Sequence, residues 1–202
     1  PEFMAAVLTS EIDKSDKLSF LINECREMGI KILPPDVNKS NATFTVDGDA
    51  IRFGLGAIKG FGQNASKAII DARNDGEFKT LAEMLERTTG VLNSKAIEHL
   101  IRAGALDSMG LKRSQLVSII DASIQSAAGR RRDKEAGQGN LFDMLADFDS
   151  SSFGDVPPPD IPEFDEAEIL NDEKTLLGFY VSGHPLAKHA ELVELYSSTS
   201  IA

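Results

Sequence analysis

Tryptophan is missing from this 202-residue chain, tyrosine occurs twice and cysteine once. A single thiol, Cys25, forms no intramolecular disulfide. The chain is therefore not a disulfide-stapled secreted scaffold, and a reducing, cytoplasmic compartment is the expectation. Its apolar runs are only a few residues long, well short of a membrane span. No basic stretch followed by an apolar one opens the chain, so no secretory leader is expected. Pro1-Glu2-Phe3 reads equally as native sequence or as a cloning remnant and carries no weight. What is present, 42% hydrophobic residues, is enough for one or two real cores.

Bases are the second, local absence. From Leu141 to Glu173 there are eleven Asp and Glu residues and no Lys or Arg. That stretch carries the whole formal charge of -11, since the remaining acids and bases balance at 21 each. Between Ile51 and Asn140 there are 14 bases against 10 acids. A mildly basic body with an acidic neighbour restricts any nucleic-acid contact to one part of the surface.

Hydrophobic spacing organises the rest. Leu18, Leu21, Ile22, Cys25 and Met28 recur at helical intervals, with Gly29 as a stop, and this places Cys25 on a buried stripe. Pro34-Pro35 ends the helix; Thr43–Val46 and Ile51–Phe53 then read as two strands around Asp47-Gly48. Asn64 is the expected cap of a helix holding Ala65, Ala68, Ile69 and Ala72, and Thr80 with Glu83 forms a capping-box pattern. Asn93 or Ser94 caps a helix with Ile97, Leu100, Ile101 and Gly104 on its stripe. One longer helix with Val117, Ile120, Ile124 and Ala127 is expected next, running into Arg130-Arg131-Arg132. Asp143 to Ile161, with Pro157-Pro158-Pro159, has the composition of a linker. Pro162 then suits the first turn of a helix carrying Phe164, Ala167 and Leu170, and a last helix is expected from Pro185 through Leu186, Ala190 and Val193. The expected fold is mainly α with a small β-hairpin, drawn as two helical units joined by the acidic segment.

Two stretches carry chemistry. Ile58-Lys59-Gly60-Phe61-Gly62 precedes a helix containing Lys67. A Gly-apolar-Gly turn lets backbone approach a phosphate, and the helix after it offers unpaired N–H groups at the positive end of its dipole. This resembles the helix-hairpin-helix motif, a DNA-backbone binder that ignores sequence. The resemblance assigns Gly60 and Gly62 to the phosphate-facing turn and Phe61 to packing, with charge added by Lys59 and Lys67; a plain connecting turn is the alternative. A degenerate second copy runs from Ile97 to Asp107 and on through Met109-Gly110 into Lys112-Arg113, with Leu106 in place of the second glycine. It is expected to be mainly scaffold, with Lys112 and Arg113 as phosphate contacts and His99 on the helix surface.

The other stretch is Gln138-Gly139-Asn140-Leu141-Phe142. It is similar to the Q-x-x-L-F peptide by which bacterial replication proteins dock on the sliding clamp. Leu141 and Phe142 would fill an apolar groove while the Gln138 amide fixes register at its rim. The alternative is that Leu141, Phe142 and Met144 fold back on the chain's own helices.

Taken in order, Phe3–Ala6, Gly29–Asn38, Gly54–Gly60, Gly137-Gln138 and Leu177–Pro185 resemble the alpha subunit of bacterial DNA polymerase III, the C-family replicative polymerases. The resemblance covers nearly the whole chain. It implies the end of a fingers region (1–50), a tandem helix-hairpin-helix domain (51–136), a clamp-binding peptide with acidic linker (137–161), and a helical segment leading to a next domain (162–202). The implied partners are the sliding clamp (beta subunit), duplex DNA and, through the parent, other replisome subunits, with no membrane.

A polymerase site needs palm aspartates holding two metal ions, and no strand here carries that D-x-D pattern. Asp147 and Asp149 have the spacing but stand in the acidic linker, and His184 and His189 lack a surrounding ligand cluster. The expectation is a non-catalytic piece with no cofactor or metal of its own. Two other classes stay open. A helix-hairpin-helix repair enzyme would need a poised acid after the hairpin, where Asp71 lies within the helix; a pure interaction domain would use its hairpins only for packing.

Overall fold

The computed structural model describes residues 1–12, 14–88, 90–135, 156–183 and 185–186. Within them eight helices and three short strands surround one core. α1 (Glu2–Ser10) buries Met4, Ala5 and Leu8. α2 (Ser15–Glu27) buries Leu18, Ile22 and Cys25, which share one helical face. Met28, expected on that stripe, lies just past the helix and is largely exposed. The periodicity runs one residue past the helix that produces it.

The expected hairpin is present as β2 (Thr45–Asp47) and β3 (Ala50–Arg52), paired antiparallel with Val46 opposite Ile51. A third strand, β1 (Ile32–Leu33), pairs parallel to β3 and makes the order β1-β3-β2. Two residues between a helix stop and a proline pair carry no alternation of their own, so β1 is invisible in the sequence. Phe53, at the end of β3, is fully buried; Phe44 meets its ring edge-on at 4.9 Å.

A 3-10 turn over Leu55–Ala57 leads into α3 (Gln63–Arg73), followed by α4 (Leu81–Arg87) and α5 (Ser94–Arg102). The Thr80 hydroxyl accepts from the Glu83 N–H at 3.2 Å, and the Glu83 carboxylate accepts from the Lys79 N–H at 2.9 Å. The Asn93 side chain accepts from the Ala96 N–H at 2.8 Å, which selects Asn93 over Ser94 as the cap. The expected long helix is two, α6 (Arg113–Ser118) and α7 (Ile120–Glu135), broken at Ile119. Ile119 and Ile120 are both buried at that break, so adjacent residues serve the core where one straight helix would turn one of them away.

Residues 156–161, expected to be linker, form neither helix nor strand but are held to the body: the Gln115 amide donates to the Pro159 carbonyl at 2.8 Å. Pro162 lies ahead of α8 (Glu166–Leu177), which Asp165 caps by accepting from the Glu168 N–H at 2.7 Å. α8 packs on α5, and its Leu176 and Leu177, together with Phe179, join the same buried cluster as Met4 and Phe53. The Phe179 and Phe53 rings are 5.6 Å apart. The two-unit picture therefore gives way to one core running from α1 to Phe179. No helix among the described residues is long and apolar enough to cross a membrane.

Candidate nucleic-acid interface

The first hairpin turn is pinned from below. Ile58 and Phe61 are buried, and the Phe61 N–H donates to the Ile58 carbonyl at 3.1 Å, while Lys59, Gly60 and Gly62 are left exposed. Gly60 and Gly62 have φ of +78° and +82°, the left-handed region that disfavours any side chain with a Cβ. The two differ in surroundings. A Cβ at Gly62 would meet nothing within 4 Å, whereas one at Gly60 would lie 2.9 Å from Cε1 and Nδ1 of His99.

His99 is thus not the surface residue expected. It sits half-buried beneath the turn, its Nδ1 shielded from solvent and without a hydrogen-bond partner. The helix cap differs as well. The cap position of α3 is Gly62, not Asn64, and no side chain among the described residues caps it; the Gly62 carbonyl accepts from the Ser66 N–H at 3.2 Å and from its hydroxyl at 2.9 Å. The first-turn N–H groups of α3 are therefore not spent on a side-chain cap. Lys67, in the second turn, is exposed.

The second turn is closed. Ala103, Ala105 and Leu106 are buried, and the Arg113 guanidinium lies over Gly104. Arg113 is only 7% exposed. It donates to Asp107 through Nε at 3.0 Å and Nη2 at 2.7 Å, and through Nη1 to Glu173 and the Arg102 carbonyl, each at 3.2 Å. Burial works against its charge, but the Asp107 and Glu173 carboxylates outweigh that and hold its pKa above the ordinary value. Glu173, fully buried, also accepts from the Val181 N–H at 2.7 Å and the Ser182 N–H at 2.9 Å. Arg113 is therefore an interior ion, removed from any phosphate-facing surface.

The start of α6 is occupied too. The Glu163 carboxylate accepts from the N–H groups of Arg113 at 2.8 Å and of Ser114 and Phe164 at 2.9 Å. Burial alone would raise its pKa; these N–H donors outweigh it and hold the carboxyl below its usual value. The Ser114 hydroxyl donates to the Pro162 carbonyl and the Lys112 ammonium to the Ile161 carbonyl. Lys112 is exposed but already engaged by this strap. Nothing in the spacing of Glu163 or Glu173 announces these partners, which lie about fifty to sixty residues earlier in the chain.

Lys59, Gly60 and Gly62 line one cleft of about 760 Å³. Gln138, Leu141 and Phe142 lie outside the described residues, as do Asp147, Asp149, His184 and His189. Asp71 is exposed on α3. Among the described residues no three His, Cys, Asp or Glu side chains gather as a metal cluster.

Residues 29–116 match the family model of the helix-hairpin-helix motif, a span from β1 into α6 that contains both turns. Over nearly its whole length the chain also aligns with much longer proteins. It is 40% identical over 203 residues to DNA polymerase III subunit alpha of Neisseria meningitidis serogroup B, covering 99% of this chain and 17% of that protein. Against the subunit of the same name from Thermus aquaticus it is 40% identical over 200 residues, covering 98% and 16%. Against that of Escherichia coli K12 it is 37% identical over 201 residues, covering 96% and 17%. The chain is homologous to one region of DNA polymerase III subunit alpha. It spans about a sixth of the length of these relatives. α1, α2, α7 and α8 fall outside the motif match, yet all four contribute to the core that supports the turns.

Proposed function

We propose that this chain is a non-catalytic part of a bacterial replicative polymerase that holds duplex DNA by its backbone and carries the peptide that engages the sliding clamp. The observation that carries the DNA half is the first turn: two glycines at positive φ, exposed, flanked by Lys59 and leading into a helix without a side-chain cap. Such a turn offers N–H groups to a phosphate oxygen whatever the base sequence. The contact set is Lys59, Gly60, Gly62 and Lys67; Lys112 is exposed but bonded to the Ile161 carbonyl at the start of α6. Arg113 drops out, because its charge is already neutralised inside the fold. The second turn acts as scaffold, which its burial and its Arg113 cover favour.

The clamp half rests on Gln138, Leu141 and Phe142 and on the names of the relatives. Calorimetric titration of the chain against a bacterial sliding clamp tests it. Replacing Leu141 and Phe142 together by Ala should cost on the order of 2 kcal/mol or more, as loss of a buried aromatic anchor does. Parent-like binding by that double variant would rule the peptide out. For DNA, binding to a duplex should be weak, indifferent to sequence and dependent on salt. A chain that binds the clamp but no duplex at low salt would leave a protein-interaction role alone.

A further inference from the structure

The cleft beside the first turn has a second wall, and that wall is α8. The Lys59 N–H donates to the Leu176 carbonyl at 2.9 Å, so the last turn of α8 is stitched to the residue before Gly60. The same cleft is lined by Lys174 and Thr175 from α8 and by Asp16 and Ser19 from α2. Two carbonyls at this helix end, of the kind that repel an anion, already accept hydrogen bonds. Leu176 accepts from Lys59, and Gly178 accepts from the Ser19 hydroxyl and the Lys174 ammonium, both at 2.9 Å.

Lys174 is the first base after the long acidic stretch, yet the acids next to it are spent elsewhere. Glu173 points into the interior, and Asp172 accepts from Arg102 at 2.6 Å. Lys174 is exposed, and among the described residues its ammonium meets one carbonyl and the face of Tyr180, 5.7 Å from the ring centre. Among the described residues that line the cleft, Lys59 and Lys174 stand against one acid, Asp16, in a chain whose total charge is -11.

We propose that Lys174 is a phosphate contact of the DNA groove, so that α8 and the first hairpin turn together form one backbone-binding site, with Asp16 setting its strength by opposing charge. This rests on the DNA-binding reading above and adds a residue outside the helix-hairpin-helix match. Lys174 would exchange its bond to the Gly178 carbonyl for a phosphate oxygen, bracketing with Lys59 a strand held at Gly60 and Gly62.

The test is fluorescence anisotropy of the full chain with a labelled duplex across a salt series. Lys174→Ala should weaken binding several-fold and make the slope of log affinity against log salt shallower by about 0.9, the loss of one phosphate contact. Lys174→Arg should restore both. Asp16→Asn should move affinity the other way, several-fold tighter, which a merely disturbed fold would not do. Thermal melts of each variant separate lost structure from lost contact. If Lys174→Ala keeps the parent's slope while Lys59→Ala and Lys67→Ala weaken binding, this inference falls and the DNA-binding reading stands. If the parent itself does not bind duplex at low salt, both fall.

Discussion

Gly60 answers to two constraints where Gly62 answers to one. Both need a positive φ, which costs an L-residue on the order of 1–3 kcal/mol. Only Gly60 also has the His99 ring 2.9 Å from the place a Cβ would occupy. Gly60→Ala should therefore lower the urea midpoint more than Gly62→Ala does. Adding His99→Ala to the Gly60 variant should recover the steric part and leave the backbone part. Equal midpoints for the two single variants would mean the ring yields freely. For DNA work the consequence is practical: Gly62, with open space around it, is the cleaner position at which to block backbone approach.

At the scale of elements, the strap from Val156 to Asp165 has an acid-sensitive fastening. The Glu163 carboxyl is held below its usual pKa by three N–H donors, so the charged form is favoured in the fold. Its contribution is present above the ordinary carboxylate range near 4.5 and is lost as pH falls through the lowered folded value. Glu163→Gln should lower the melting temperature at pH 7, and the gap to the parent should close as the pH drops below 4. A gap that stays constant with pH would assign the effect to packing. Local patterns were readable in most places where a neighbour supplies the chemistry, Asn64 being an exception because Gly62 caps α3. Thr80 and Asn93 find their N–H donors three residues away, and the Leu18–Cys25 stripe follows from helical spacing alone. The Gly-Phe-Gly turn was legible for the same reason. What was missed depends on distant residues: β1 exists only because β3 lies beside it, and Arg113 reads as a surface cation until Glu173 arrives from 60 residues away.

Over the whole molecule, α8 is part of the core and not an appendage. Leu170, Leu176, Leu177 and Phe179 are each at most 7% exposed. Fully burying such side chains stabilises by roughly 1.5–3 kcal/mol apiece, and domains of this size are stable by only about 5–15 kcal/mol. A chain ended after Glu135 should lose most of its cooperative melt by circular dichroism and become readily cleaved by protease. A sharp parent-like transition in that shortened chain would restore the two-unit picture. For the same reason, deleting acids wholesale up to Glu173 is a poor route to tighter DNA binding, since it removes eight of the twelve residues of α8 along with the charge.

The Ser19 hydroxyl bonded to the Gly178 carbonyl joins residues 159 positions apart, and Arg26 reaches the Tyr180 carbonyl from nearly as far. A ribosome adding about 5–20 residues per second needs roughly 10–30 seconds to make that much chain. For that interval α2 stands without the two bonds that tie it to the segment after α8. The closing of these two bonds is timed by translation, since neither can form before the residues just after α8 are made.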